Sequence, residues 1–170
     1  MGKEQIMYIK DKMKTGLLYF FGFIAIGASL ALIIWFISIL RLRTEYREFC
    51  LEVNDAILAT AEGDRQVGRG EESFPASREM VDYYDMLLLA DGVTVISRDE
   101  ATPDERSIVL TLKDGRLILT NVEKDGSLIN IRWETAEGVR SYNLRSSQIS
   151  FMSISAYYSN YARRMRTQAG

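Results

Sequence analysis

The chain has no histidine, one cysteine (Cys50) and two prolines in 170 residues. Without an imidazole, every Ser-His-Asp or Cys-His nucleophile arrangement is excluded, and so are the usual Cys/His zinc sites. A lone cysteine forms no disulfide within the chain. An excess of positive charge is also missing. The net charge is −2, with +2 on the first 16 residues and −4 on everything after residue 40. A mildly acidic domain lacks the basic surface that a nucleic-acid partner requires. Charge itself is absent from one long stretch, Leu17 to Leu40, LLYFFGFIAIGASLALIIWFISIL.

That stretch organises the chain. At about 1.5 Å per residue, a helix of this length crosses a hydrocarbon core of about 30 Å. A lone segment in lipid must satisfy its own backbone hydrogen bonds, which leaves the helix as its form. Tyr19, Phe20, Phe21 and Phe23 lie near one end, and Trp35 and Phe36 near the other, as in an interfacial belt. A cleaved signal has a shorter apolar core and small residues at its end. Here the run continues past Ala25-Ile26-Gly27 to Arg41, so a retained anchor is expected. The lipid bilayer is the first partner this implies. Within the run, Ala25 and Ser29 are four apart, as are Gly27 and Ala31. Small residues at that spacing let helices approach closely in lipid, so these four form a candidate helix-association patch.

Residues 1–16 read as a basic head, 17–40 as the transmembrane helix, 41–61 as an amphipathic extension and 62–170 as an α+β domain. No proline or glycine interrupts 41–62. Leu42, Tyr46, Phe49, Val53, Ala56 and Thr60 recur at steps of three and four, which predicts one helical stripe, with Cys50 beside it as a small core residue. The stripe is too short and weak for a convincing coiled coil, so it is expected to pack on its own domain.

The segment 62–76 reads as a loop, and Gly68-Arg69-Gly70 within it as a flexible connection lacking the lysine and spacing of a phosphate-binding loop. Ser77 is placed to cap a helix over 77–90, ended by Asp91-Gly92. Val93–Ser97 is a strand candidate. The run 98–106, RDEATPDER, has four acidic residues without calcium-loop spacing and reads as a solvated loop. Runs 107–112 and 116–122 flank Asp114-Gly115, a hairpin signal, and Asp125-Gly126 gives a second turn. In 127–134, Ile129, Ile131 and Trp133 alternate with Asn130, Arg132 and Glu134, which predicts one buried and one wet face. Glu137-Gly138 turns the chain into 139–144. The tail reads as a strand over 148–156 passing into a short terminal helix. The expected fold is therefore α+β, with the long helix packed on an antiparallel sheet of four to five strands. Phe49, Val53, Ile57, Ile129, Ile131 and Trp133 are its expected core.

No pair of residues has the spacing of a nucleophile and its base. Asp82, Asp85, Asp104 and Glu105 are acid–base candidates by type alone. The sequence therefore assigns no catalytic, cofactor or metal residue, and the protein reads as a non-enzyme.

The order of head, span, continuous helix and antiparallel sheet resembles the pilin and pseudopilin families, particularly the pseudopilins of tight-adherence pili. Lys14-Thr15-Gly16, the apolar run, and Leu42, Tyr46, Phe49 and Val53 carry the resemblance. It implies a leader processed after Gly16, a structural or assembly role, and partners among membrane or envelope proteins, with self-association through the helix. Those families place a glutamate fifth after the cleavage glycine, where this chain has Phe21. A second resemblance is to bacterial pleckstrin-homology-like and GRAM-like domains. It rests on Gly115–Asn121 (GRLILTN), Ser141-Tyr142-Asn143-Leu144 and Ile149, and implies a membrane-tethered cytoplasmic domain binding lipid or protein. Orientation separates the two. Lys3, Lys10, Lys12 and Lys14 on the head outnumber Arg41, Arg43 and Arg47 beyond the span. This favours a cytoplasmic N-terminus and a domain outside the cytoplasm.

Overall fold

Helix α1 runs without a break from Lys3 to Ala59 in the computed structural model, which describes residues 3–89 and 92–169. The basic head is helical from Lys3 onward. The chain divides into two units, Met1–Arg41 and Leu42–Gly170. In the first unit, the described apolar side chains are exposed, Leu18, Phe23 and Trp35 among them, apart from the half-buried Ile39. Ser29 Oγ donates to the Ala25 carbonyl at 2.8 Å, and Ser38 Oγ to that of Ile34 at 2.9 Å. These hydroxyls therefore need no partner outside the helix, as a lipid environment demands. Among the described residues, α1 is the one helix long and apolar enough to cross a membrane.

The second unit holds a seven-stranded antiparallel sheet and three α-helical segments. In chain order these are β1 (Gln66–Arg69), β2 (Glu72–Pro75), α2 (Arg78–Leu89), β3 (Val93–Ser97), β4 (Ile108–Thr111), β5 (Gly115–Asn121), β6 (Leu128–Thr135), β7 (Gly138–Ser146) and α3 (Phe151–Ala169). The third helical segment is the end of α1 from Leu42 on. The strands lie in the order β2-β1-β4-β5-β6-β7-β3.

One face of the sheet carries the core. Tyr46, Phe49, Val53 and Ile57 of α1, Met80, Tyr84 and Leu87 of α2, and Ile154 and Tyr158 of α3 are buried with Leu117, Leu119, Ile129, Ile131, Trp133 and Leu144. All six expected core residues belong to this cluster. Three of the buried rings satisfy their polar ends, whereas the buried Tyr158 hydroxyl does not. Tyr46 Oη donates to the Leu87 carbonyl at 2.9 Å, Tyr84 Oη to that of Ile108 at 3.2 Å, and Trp133 Nε1 to Glu52 Oε1 at 3.0 Å. Tyr46, Phe49 and Tyr142 form an aromatic cluster with centroids 5.0–5.7 Å apart. Burial raises the Cys50 thiol to about 11, so Cys50 is an inert core group.

Three expectations are corrected. The sheet has seven strands, not four to five, because 62–76 is not a loop: after a 3-10 turn (Glu62–Asp64) it forms the β1–β2 hairpin, Val67 opposite Phe74. Strands of four residues with only the adjacent Val67 and Gly68 buried show no readable alternation. Gly70, at φ 60°, makes the hairpin's turn, so the glycines that suggested flexibility define geometry instead. The tail carries no strand: Gln148–Ala156 enters α3 directly. Phe151, Ile154, Tyr158 and Tyr161 bury one helical stripe, Ser150 Oγ accepts from the Ser153 amide at 3.2 Å, and the Phe151 amide donates to the Gly126 carbonyl at 2.9 Å. Gly126 has φ 75°, and a Cβ there would lie 2.8 Å from Met152, so this turn tolerates little else.

The third correction concerns the face opposite the core, which is not wet and is described below. Ser77 Oγ accepts from the Met80 amide at 3.3 Å at the start of α2, while Asp91, expected to close that helix with Gly92, lies outside the described residues.

Candidate functional site

The residues singled out in the apolar run do not form one patch. At about 100° per residue, Ala25 and Ser29 share one side of α1 while Gly27 and Ala31 lie about 200° round the helix. All four are exposed, and the Ser29 hydroxyl is already bonded to the Ala25 carbonyl. Gly16, the processing candidate, sits inside α1 with open space around it.

The four candidate carboxylates are also not assembled. Asp82 and Asp85 stand on α2, where burial and then Asp82 push the Asp85 carboxyl upward against an opposing pull from Arg65. Asp104 accepts from the Arg106 amide and the Ser107 hydroxyl, both at 3.0 Å, in a local turn; Glu105 is exposed. Among the described residues, no group of three or more His, Cys, Asp or Glu is placed to hold a metal ion. Arg163, Arg164 and Arg166 lie toward the end of α3, where positive charge suits the helix dipole. Tyr158 and Tyr161 beside them are buried and offer no stacking surface.

An open groove of about 680 Å³ lies between the end of α1 and the β4–β5 and β6–β7 turns. Glu52, Asp55, Asp114 and Glu137 rim it with Lys113, and Trp133 forms its floor with almost no ring surface open. The end of α1 is fixed here through Thr60, which is buried. Its hydroxyl donates to the Ala56 carbonyl at 2.8 Å and accepts from the Lys113 amide at 3.2 Å, while Arg65 Nε donates to its carbonyl at 3.0 Å.

The most distinctive chemistry lies on the sheet face away from the core. Register aligns Thr120, Asn130 and Asn143 in one cross-strand row and Ile118, Arg132 and Ser141 in the next. Asn130 is fully buried, and Thr120, Ser141, Asn143, Ser107 and Ile118 nearly so. Asn130 Nδ2 lies 2.9 Å from Ser141 Oγ, 2.8 Å from Asn143 Oδ1 and 3.1 Å from the Asp99 carbonyl. Asn143 Nδ2 donates to Ser97 Oγ at 3.0 Å, and Ser107 and Thr120 share a hydrogen bond at 2.9 Å. The segment 98–106, expected to be only a solvated loop, lies on this face: its side chains point mostly to water, but the Asp99 carbonyl and Glu100 attach it to the sheet.

Beside the neutral row runs a ladder of charges: Arg116 to Glu134 at 2.5 Å, Glu134 to Arg132 at 2.8 Å, and Arg132 to Glu100 at 3.2 Å. Burial acts to raise the Glu134 carboxyl, but hydrogen bonds from Arg116 and Arg132 outweigh it and hold it below the ordinary glutamate value of 4.5. A carboxyl held low stabilises the fold above its unfolded value, and that contribution is lost as pH falls through the folded value. The unsubstituted chain is therefore expected to lose stability below about pH 4.5 more steeply than Glu134→Gln. Parallel urea titrations at pH 3.5 and pH 7 check this; an equal difference between the two chains at both pH values would refute it.

No family model, curated protein or solved structure matches the chain. The sequence reading missed the polar cluster. Its one available signal was the type of polar residue: a water-facing sheet surface usually carries charge, whereas Thr120, Asn130, Ser141 and Asn143 are neutral.

Proposed function

We propose that the chain is a single-pass, membrane-anchored, non-enzymatic protein of pilin-like build, whose α+β domain lies outside the cytoplasm and serves as an interaction module in the assembly of envelope proteins. One observation supports it above the others. The helix that carries the exposed apolar run also supplies Tyr46, Phe49, Val53 and Ile57 to the core of the domain. Anchor and domain thus share one element, the arrangement expected of a subunit that assembles from the membrane outward. The head's four lysines against three arginines beyond the span support a cytoplasmic N-terminus.

Lys124, exposed at the β5–β6 turn, gives the test. In a Cys50→Ser background, Lys124→Cys is expected to react with a membrane-impermeant maleimide added to intact cells. Reaction only after lysis would place the domain in the cytoplasm, overturn the pilin-like reading and favour the pleckstrin-like one.

A further inference from the structure

We infer that residues 98–106 form a releasable strap, which lifts from the sheet while the sheet stays folded and uncovers a hydrogen-bonding platform made by Ser97, Thr120, Asn130, Ser141 and Asn143. This inference is independent of the side of the membrane on which the domain lies.

The first ground is the chemistry of what is covered. A surface meant to stay buried is most stable when apolar, because each buried polar group must recover its lost hydration. Here the apolar Ile118 is accompanied by five amide and hydroxyl side chains, on the face opposite an otherwise apolar core. Such a cluster is satisfied in two states: under the strap, where its members bond one another and the Asp99 carbonyl, and uncovered, where water or a polar ligand takes their place.

The second ground is how the cover is held. Residues 98–106 form no helix or strand, and every side chain in the segment except the half-buried Ala101 is exposed. Past Arg98 the segment is attached by three polar contacts, all at Asp99 and Glu100: Asn130 Nδ2 to the Asp99 carbonyl at 3.1 Å, Ser141 Oγ to the same carbonyl at 3.4 Å, and Arg132 to Glu100 at 3.2 Å. Water replaces each of these at little net cost. The ends are better fixed. Arg98 pairs with Glu45 of α1, and Asp104 is tied to Ser107, which bonds Thr120. Weak contacts at Asp99 and Glu100, between a start fixed at β3 and an end fixed at Ser107, describe a segment that opens locally rather than with the whole fold.

The third ground is that the platform survives opening. Thr120, Asn130 and Asn143 sit on β5, β6 and β7, whose ladders do not involve the strap. The bonds of Asn130 to Ser141 and Asn143, and of Thr120 to Ser107, hold the amides and hydroxyls in place once the Asp99 carbonyl leaves. The exposed surface would be neutral at its centre and bounded by the Arg132 guanidinium, which loses Glu100 as the strap lifts and keeps Glu134.

Thiol exchange tests this on the full chain in detergent micelles. In a Cys50→Ser background, Ser141→Cys places a near-isosteric reporter under the strap, and Leu119→Cys places one in the core on β5, two strands away. Labelling of the Ser141→Cys chain is expected to be slowed only about 10- to 1000-fold relative to the urea-unfolded chain, the effect of a few net hydrogen bonds. Its rate should depend weakly on urea and rise when Glu100→Gln removes the ion pair. The Leu119→Cys chain should be protected at least about 10⁴-fold, with the full urea dependence of global unfolding. Asn130→Cys, at the other side chain that meets the Asp99 carbonyl, serves as the reporter should Ser141→Cys fail to fold. A urea slope under the strap equal to that of Leu119→Cys would mean that the face opens only by unfolding. Labelling at the unprotected rate would mean that the segment does not cover it. Either result overturns the inference.

Discussion

Trp133→Ala is expected to destabilise the domain by about 3–5 kcal/mol, the cost of emptying a large aromatic site in a packed core. Trp133 is 2 % exposed and lies on the core face of β6, paired with Arg140 of β7 and Leu117 of β5. The substitution removes more than apolar surface. The indole donates to Glu52, which also pairs with Arg140, and the Arg140 guanidinium lies 5.7 Å from the centre of the Phe49 ring. Loss of the ring therefore loosens the junction between α1 and the sheet, and the groove above Trp133 admits water. In thermal melts of the 42–170 fragment, the expected drop is roughly 10 °C or more. Trp133→Phe should recover much of it by filling most of the volume, while leaving Glu52 its pairing with Arg140. A melting temperature unchanged in the alanine variant would mean that the ring contributes no packing.

The parts of this fold that could be read from the chain are those in which one period dominates. The α1 stripe repeats at three and four residues over several turns, and β6 alternates without interruption, so both helix and strand follow from residue spacing. The Asp114-Gly115 and Asp125-Gly126 turns fix β5 and its neighbours as an antiparallel meander. The β1–β2 hairpin was illegible for the opposite reason. Its strands are four residues long, and their stability comes from pairing with β4 rather than from any pattern of their own. In the tail, Phe151, Ile154, Tyr158 and Tyr161 fit a helix, but a short apolar run reads equally as strand until the neighbouring Gly126 carbonyl and the Ser150 cap are known.

The strap-covered face shows a different limit. Periodicity placed Asn130 and Arg132 correctly on the face opposite Ile129 and Ile131, but it says nothing of what covers that face. The cover is an irregular segment rich in charge, which local pattern equates with solvent. Its attachment is made by the Asp99 carbonyl, a group every residue has, so no side-chain signal announces it. Thr60 is a similar case. It looked like the fading end of an apolar stripe, yet its hydroxyl both closes the helix and holds the β4–β5 turn.

Removing the anchor and removing the extension should have opposite outcomes, and the contrast is the largest effect expected for this chain. A fragment beginning at Leu42 contains the whole of the second unit, including Tyr46, Phe49, Val53 and Ile57, which are nearly or fully buried. It is expected to be soluble without detergent and to unfold cooperatively. A fragment beginning at Leu58 lacks those four side chains together with Cys50. Burial of a large apolar side chain contributes about 1.5–3 kcal/mol. Four of them together approach the total stability of a typical domain, about 5–15 kcal/mol. The shorter fragment would also expose the faces of Tyr142 and Trp133 that α1 covers, and would leave the Leu87 carbonyl without the Tyr46 hydroxyl. It should therefore populate no cooperative native state, giving a flat thermal melt and binding dyes that report exposed apolar surface. Adding a synthetic peptide of residues 42–61 should restore the transition, since the missing element is a single helix. A cooperative melt for the fragment beginning at Leu58, without the peptide, would show that the sheet, α2 and α3 form a self-sufficient core and that α1 only rests on it.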